Sequence, residues 1–253
     1  MQTTQAAAVS SLQRGKLAAN HTGLRSPGWL GRWPLIGVIL VLIGGGLFTA
    51  MAIAVQAHNQ FLMQIDTQIS NDLHTTALHS LPIILGLTIL GYYLGQEIIV
   101  AIGVVLVIYF LYKRYWTELW MVLIAWGGEA GIWLLVSNYF NRPRPVFAVP
   151  AWHQMTAPGF PSGHVFGAVL CYGLLAYLIV PKMSTHFWKA VVVTLALVMI
   201  LYIGFSRLFV GDHYPSDILT GYGIGLAWGA FVYTTVEVID RRIKQRRNTL
   251  VQT

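Results

Sequence analysis

Residues 34–55 read PLIGVILVLIGGGLFTAMAIAV, an apolar run with no charged side chain. About 20 such residues in a helix cross the ~30 Å of a bilayer's hydrocarbon. The run is too long and starts too late for a secretory signal, although Ala52-Ile53-Ala54 mimics a cleavage site. It reads as an uncleaved spanning helix. Working outward from it, further apolar runs cover about 94–112, 118–138, 162–181, 187–208 and 217–236. Composition agrees. The chain has 253 residues, 56% apolar and only 10% charged, where soluble domains carry about 25% charge. Mean hydropathy is +0.62. These figures exclude a disordered chain, a coiled coil and an ordinary soluble globule. The single cysteine, Cys171, excludes a disulfide scaffold and a cysteine-rich zinc module. The net charge of +7 is split into short clusters between apolar runs, which is membrane topology and predicts no nucleic-acid partner.

The basic residues set the sidedness. Residues 1–33 form a polar, Ser/Thr/Gln-rich segment with scattered cations, read as a disordered cytoplasmic tail. Lys113-Arg114, Lys182 with Lys189, and the 237–253 basic tail (Arg241 to Arg247) fall on the same side in a six-helix arrangement of residues 34–236. With both 1–33 and Lys113-Arg114 inside, an even number of crossings must separate them. So 34–55 crosses once and 94–112 crosses back, while 79–93 lies in the outer interface, with Pro82 and Gly95 as breaks. The prediction is an all-α polytopic membrane protein, a six-transmembrane-helix bundle with an interfacial helical segment before the second helix. Thirteen of the 16 Lys and Arg residues then face the cytoplasm. The other three, Arg142, Arg144 and Arg207, fall outside, where cations should be scarce.

Their neighbours explain them. The first outer segment reads Asn141-Arg142-Pro143-Arg144-Pro145, after the third helix. The second reads Phe160-Pro161-Ser162-Gly163-His164, opening the fourth. The third runs from Ser206-Arg207 through Gly211-Asp212-His213 to Pro215-Ser216-Asp217, between the fifth and sixth. All three lie at one face and can converge on an anion. Ser162 suits a helix N-cap, and Gly163 lets a ligand approach the backbone. Pro215 fits a first helical turn. Two helix N-termini therefore aim N–H groups and positive dipole ends at one wet pocket. The arginines add cationic forks shaped for phosphate or carboxylate. His164 and His213 offer proton transfer or a nucleophilic nitrogen near neutral pH. Asp217, four residues after His213, can share its helix face or fix its tautomer. A zinc site from these residues is disfavoured by the arginines, so no metal and no other cofactor is expected.

These motifs resemble the phosphatidic acid phosphatase type 2 superfamily, membrane lipid-phosphate phosphatases related to bacterial acid phosphatases and vanadium haloperoxidases. Its pattern is Lys, six residues, Arg-Pro; then Pro-Ser-Gly-His; then Ser-Arg, five residues, His, three residues, Asp. The second and third motifs match in full at Pro161–His164 and Ser206–Asp217. The first departs: counting back from Arg144-Pro145, the lysine position holds Ser137, and from Arg142-Pro143 it holds Leu135. Arg142 is the candidate to compensate.

The resemblance implies that His213 attacks phosphorus to form a phosphohistidine, with Asp217 orienting it. His164 protonates the leaving oxygen and then activates water, while Arg144, Arg207, Ser162 and Gly163 hold the phosphoryl oxygens. It implies no metal, a substrate of undecaprenyl diphosphate, phosphatidylglycerophosphate or phosphatidic acid type, and an active site on the outer face of a plasma membrane. The absence of an appended domain and of an endoplasmic-reticulum retrieval signal points to a bacterial source. Two other readings stand beside it: an intramembrane serine hydrolase using Ser162, His213 and Asp217, and a non-catalytic lipid-phosphate-binding or transport relative.

Other features read as structural. Gly221, Gly225 and Gly229 allow close helix packing within the chain or in a dimer, which leaves the oligomeric state open. Glu129, inside the third helix, is a relay group or a partner of a neighbouring helix. His58, His74, His79 and His153 read as outer-loop residues in solvent or at the interface.

Overall fold

A computed structural model describes residues 29–151 and 155–252 of the chain. Among the described residues there are nine α-helices and no strand. They are α1 (Trp29–Arg32), α2 (Pro34–Gln56), α3 (Gln60–Leu78), α4 (Pro82–Leu94), α5 (Glu97–Lys113), α6 (Trp116–Phe140), α7 (Gly163–Ile179), α8 (His186–Phe209) and α9 (Pro215–Gln252). Six stretches are long and apolar enough to cross a membrane: α2, α4 with α5, α6, α7 with the 3₁₀ turn that follows it, α8 and α9. The chain is a multi-pass membrane protein, an all-helical bundle with the expected number of spans.

Local sequence explains where the helices start and stop. Proline occupies the first turn of α2, α4 and α9, where its missing N–H costs nothing. Asn59 Oδ1 accepts the Leu62 N–H at 3.0 Å and caps α3. Arg114 and Asn141, both in the left-handed region at φ 57° and 40°, end α5 and α6.

Helix α9 is the centre of the packing, and glycine makes it so. On one side it meets α2: a Cβ on Gly44 would lie 2.5 Å from the Gly223 carbonyl oxygen. On the other it meets α7: a Cβ on Gly221 would lie 2.9 Å from the Ser162 carbonyl oxygen, and one on Gly225 lies 2.8 Å from Val169 Cβ. The four-residue glycine repeat thus serves packing within the chain. Seating α7 against α9 also brings two helix N-termini side by side, with the Ser162 N–H donating to the Asp217 carbonyl at 3.1 Å.

Three details depart from the sequence reading. Residues 60–78 form a full amphipathic helix, with Asp66, Ser70, His74 and Ala77 buried along one face. His74 is therefore not an exposed loop residue. Its Nε2 lies 2.9 Å from the Val149 carbonyl and its ring stacks on Phe147 at 3.7 Å. His58 and His79 are exposed, and His153 lies outside the described residues.

The break at Gly95 is present, and the segment before it is the expected helix. The Tyr202 hydroxyl donates to the Leu87 carbonyl, and Gly91 and Gly95 pack on Ser206 and Ile203. Leu87, Gly91 and Gly95 thus all meet the Tyr202–Arg207 stretch of α8.

The segment read as a basic tail after residue 236 continues α9 without a break to Gln252. Finally, Trp29–Arg32 docks on that extension. The Gly31 N–H donates to Glu237 Oε2 at 2.7 Å, and Arg241 donates to the Gly31 carbonyl at 3.0 Å. Residues 1–28 of the segment read as a tail lie outside the described residues.

Candidate active site

The three outer loops converge where α7 and α9 begin and α8 ends. Helix α7 opens on Ser162-Gly163-His164. Ser162 occupies the N-cap position but makes no side-chain cap bond, and its Oγ has no hydrogen-bond partner within the protein. Its hydroxyl therefore remains available to a ligand. Gly163 packs directly under Trp133: a Cβ there would lie 3.0 Å from the indole nitrogen, which itself donates to the Pro161 carbonyl at 3.2 Å. Trp133 thus fixes the loop that presents His164.

The two imidazoles meet. The His164 and His213 ring centroids are 6.4 Å apart. Arg144 ties this pair to the first loop: its Nη1 lies 2.9 Å from His213 Nε2 and donates to the Asp212 carbonyl at 2.9 Å, while its Nε donates to the Ala157 carbonyl at 2.8 Å. A guanidinium donates only, so Nε2 accepts and carries the lone pair, which puts the ring proton on Nδ1. Asp217 Oδ2 lies 3.6 Å from that nitrogen, a distance for charge attraction rather than a hydrogen bond.

His213 is fully buried. Burial first, then the Arg144 guanidinium, holds its pKa well below the ordinary imidazole value. The ring is consequently neutral at neutral pH, as a nucleophilic nitrogen must be. Burial also lowers the Arg144 pKa, against the pull of Asp212 and Asp217.

Arg207 is fully buried in the last turn of α8. It donates to the Tyr92 carbonyl at 2.5 Å and to Asp212 Oδ2 at 3.4 Å, and its guanidinium sits 3.7 Å over the Tyr92 ring. The Tyr92 ring is also 5.6 Å from His164. Tyr92, on α4, is thus a wall of the site that no motif announced; an aromatic pair near a membrane interface is too common a signal to single it out. The turn between Arg207 and His213 depends on Gly211 at φ +82°, where a Cβ would meet the Phe147 ring at 2.7 Å.

All seven residues singled out from the sequence (Arg144, Ser162, Gly163, His164, Arg207, His213 and Asp217) therefore surround one spot. Arg142 has a different place. Its Nη1 donates to Ser216 Oγ at 2.7 Å and to Asp217 Oδ1 at 2.6 Å, and its Nη2 donates to Asp66 Oδ2 at 2.8 Å. Burial works against its charge, but Asp217 and Asp66 outweigh it and raise its pKa. Held by two carboxylates, Arg142 is not the free cation that would stand in for the missing lysine. Ser137, at the lysine position, is buried and donates to the Leu134 carbonyl.

Below His164 a cavity of about 270 Å³ descends between α5, α6 and α7. Its walls include Ile99, Val100, Trp126, Ala130 and Gly167, with Arg144 and His164 in the upper lining. Glu129 lies in it as well, with Oε1 3.1 Å from where a Gly167 Cβ would stand. The arrangement combines a polar, cationic head with an apolar shaft reaching into the bundle.

The model of the PAP2 superfamily matches residues 118–241, which span α6 to α9 and all three loops. Phosphatidylglycerophosphatase B of Bacillus subtilis (strain 168) is 33% identical over 141 residues, 54% of this chain. That match spans 65% of the relative's length, just under two thirds. The crystal structure of a transmembrane PAP2-type phosphatidylglycerolphosphate phosphatase from Bacillus subtilis superposes with a TM-score of 0.61 at 30% identity, covering 80% of this chain and 98% of that one. Aquifex aeolicus LpxE shares the fold at 19% identity, with a TM-score of 0.51 over 66% of this chain and 93% of its own. The protein belongs to the PAP2 superfamily.

Proposed function

We propose that the protein is a lipid phosphatase that removes a terminal phosphate from a membrane lipid. The phosphatidylglycerophosphatase names on the Bacillus subtilis sequence and crystal-structure matches favour a phosphatidylglycerophosphate-type phosphomonoester, with undecaprenyl diphosphate and phosphatidic acid as the other headgroups that fit the same chemistry. The carrying observation is the pair of imidazoles 6.4 Å apart with Arg144 beside one of them. That spacing puts both imidazoles within reach of one phosphoryl group.

In this mechanism the His213 Nε2 lone pair attacks phosphorus and the bond to the lipid oxygen breaks. His164, charged once the anionic headgroup offsets the neighbouring arginines, gives its proton to the departing oxygen. It then takes a proton from water, whose oxygen attacks phosphorus, and the P–N bond electrons return to Nε2. Arg144, Arg207, Ser162 and the α7 N-terminus hold the phosphoryl oxygens, so the charge stabilisation that phosphoryl transfer needs comes from guanidinium groups and helix dipoles. The nearby acids Asp212 and Asp217 are engaged by arginines, which supports a metal-independent reaction. The largely apolar shaft below His164 can take part of a lipid chain. The cation distribution supports a plasma-membrane enzyme with both termini cytoplasmic and the site outside.

The serine-hydrolase alternative needs Ser162 paired with an imidazole, and its hydroxyl makes no such bond. Phosphate release from phosphatidylglycerophosphate, phosphatidic acid and undecaprenyl diphosphate in micelles tests the proposal. Wild-type protein should turn over at least one of them, His213→Ala none, and Ser162→Ala should keep partial activity. Equal loss in both variants would favour the serine hydrolase; a silent wild type would favour a binding or transport relative.

A further inference from the structure

We infer that Asp66, on α3, is a positioning residue for the chemistry, acting through Arg142 on Asp217 and so on His213. It lies outside the stretch matched by the family model, 118–241, and belongs to none of the three motifs.

The geometry is a closed clamp. Asp66 is buried, 1% exposed, on a helix that runs outside the motif-bearing loops. Its Oδ1 accepts the Ser216 N–H at 3.0 Å, and its Oδ2 accepts the Ser216 hydroxyl at 2.5 Å and Arg142 Nη2 at 2.8 Å. The other end of the same guanidinium donates to Asp217 Oδ1 at 2.6 Å. Asp217 uses its second oxygen for the Tyr214 N–H, at 2.9 Å, and faces His213 Nδ1 with it.

Two consequences follow from charge and geometry. First, Asp66 supplies from a separate helix the acceptor that the first turn of α9 lacks, which fixes the turn holding Asp217. Second, it shares the Arg142 charge. A guanidinium facing a lone carboxylate prefers the two-oxygen, two-nitrogen fork. Without Asp66, Arg142 is free to close that fork on Asp217 and draw Oδ2 away from His213. With Asp66 in place, one nitrogen serves each acid, and Asp217 keeps an oxygen for the imidazole. A carboxylate facing Nδ1 and the Arg144 donor at Nε2 favour the same Nδ1–H tautomer, which puts the lone pair on Nε2, the atom the proposed attack needs. Asp66 touches neither imidazole; it acts through Asp217, whose charge facing Nδ1 adds to the Arg144 donor at Nε2 in favouring the Nδ1–H form.

This inference rests on the phosphatase reading for its kinetic readout and has a second readout that does not. Asp66→Asn keeps the shape and removes the charge. It should lower kcat about 10- to 100-fold with KM within about threefold, because the groups that hold phosphate are untouched. Arg142→Gln should do the same, and the double variant should be no worse than the poorer single, as residues acting through one another are non-additive. A purely structural role predicts additive losses or reduced folded protein with normal kcat, and either result overturns the inference.

If wild-type protein releases phosphate from no lipid, the phosphatase reading fails, and the inference is judged on the His213 ring nitrogens by 15N NMR in micelles, assigned with His213→Gln. Wild type should show the Nδ1–H tautomer alone and Asp66→Asn a mixture. An unchanged tautomer in Asp66→Asn overturns it.

Discussion

The half of the chain from α6 to α9 and the half from α2 to α5 are built differently. In the first, the spanning windows of α7 and α9 are 56% and 50% buried, and they bear the charged loops at their ends. In the second, α2 is only 11% buried, and it touches the centre through glycines such as Gly44 rather than through chemistry. One half carries most of the candidate site's side chains on crowded helix ends; the other packs against those ends and lends one wall to the apolar shaft. The division is not complete. Tyr92 and Asp66 cross it, one as a wall under Arg207 and the other as the anchor of Arg142.

Substitutions in each half should therefore fail in different ways. The largest effect belongs to Arg144→Ala, which removes a charge donor beside His213, the proposed nucleophile. It should cost about 10²–10³ in kcat/KM with an unchanged detergent melting profile; an intact rate would mean that Arg144 does not face the reacting group. Gly44→Val should do the reverse. Its side chain would collide with the Gly223 carbonyl, 2.5 Å from the new Cβ, and overpacking of this kind destabilises by about 1–3 kcal/mol. Thermal unfolding in micelles should shift down while the protein still folded turns over normally. Val100→Trp, which fills the shaft, should raise KM about three- to tenfold for a long-chain lipid and leave a short-chain soluble analogue unaffected. Equal effects on both analogues would remove the shaft from substrate binding.

The smallest effect concerns pH. Because burial and Arg144 depress the His213 pKa, the folded ring refuses a proton that the unfolded chain accepts below about pH 6.5. Its contribution to stability is therefore complete above that pH and declines as pH falls below it. His213→Gln should flatten part of this slope in micelle unfolding measured from pH 7.5 to 5. An identical slope would mean that the ring is not held neutral.

Much of this was legible in the sequence because membrane spans and catalytic loops write strong local patterns. Uncharged runs marked the helices, and the three arginines left over by the positive-inside count marked the loops of the candidate site. The packing of Gly221 and Gly225 on α7 was readable from their spacing. Helix α3 was not, because its polar, amphipathic stretch has neither the hydropathy of a span nor a motif. Its signal is the burial face of Asp66, Ser70, His74 and Ala77 at helical spacing, plus an Asn59 cap. Arg142 was misjudged for a related reason. Sequence places it beside Arg144, and only the fold shows that neighbouring side chains of one loop turn to different partners, one to carboxylates and the other to an imidazole.

The chemistry assigned to His213 is tested most directly by trapping. Purified protein would be mixed with a lipid carrying radiolabelled terminal phosphate, quenched within the first turnover, and the labelled residue mapped. The expected result is label on residue 213 that survives base and is lost in acid, as a phosphoramidate is. Acid-stable label on Ser162, or turnover with label on neither His213 nor any other side chain, would contradict it.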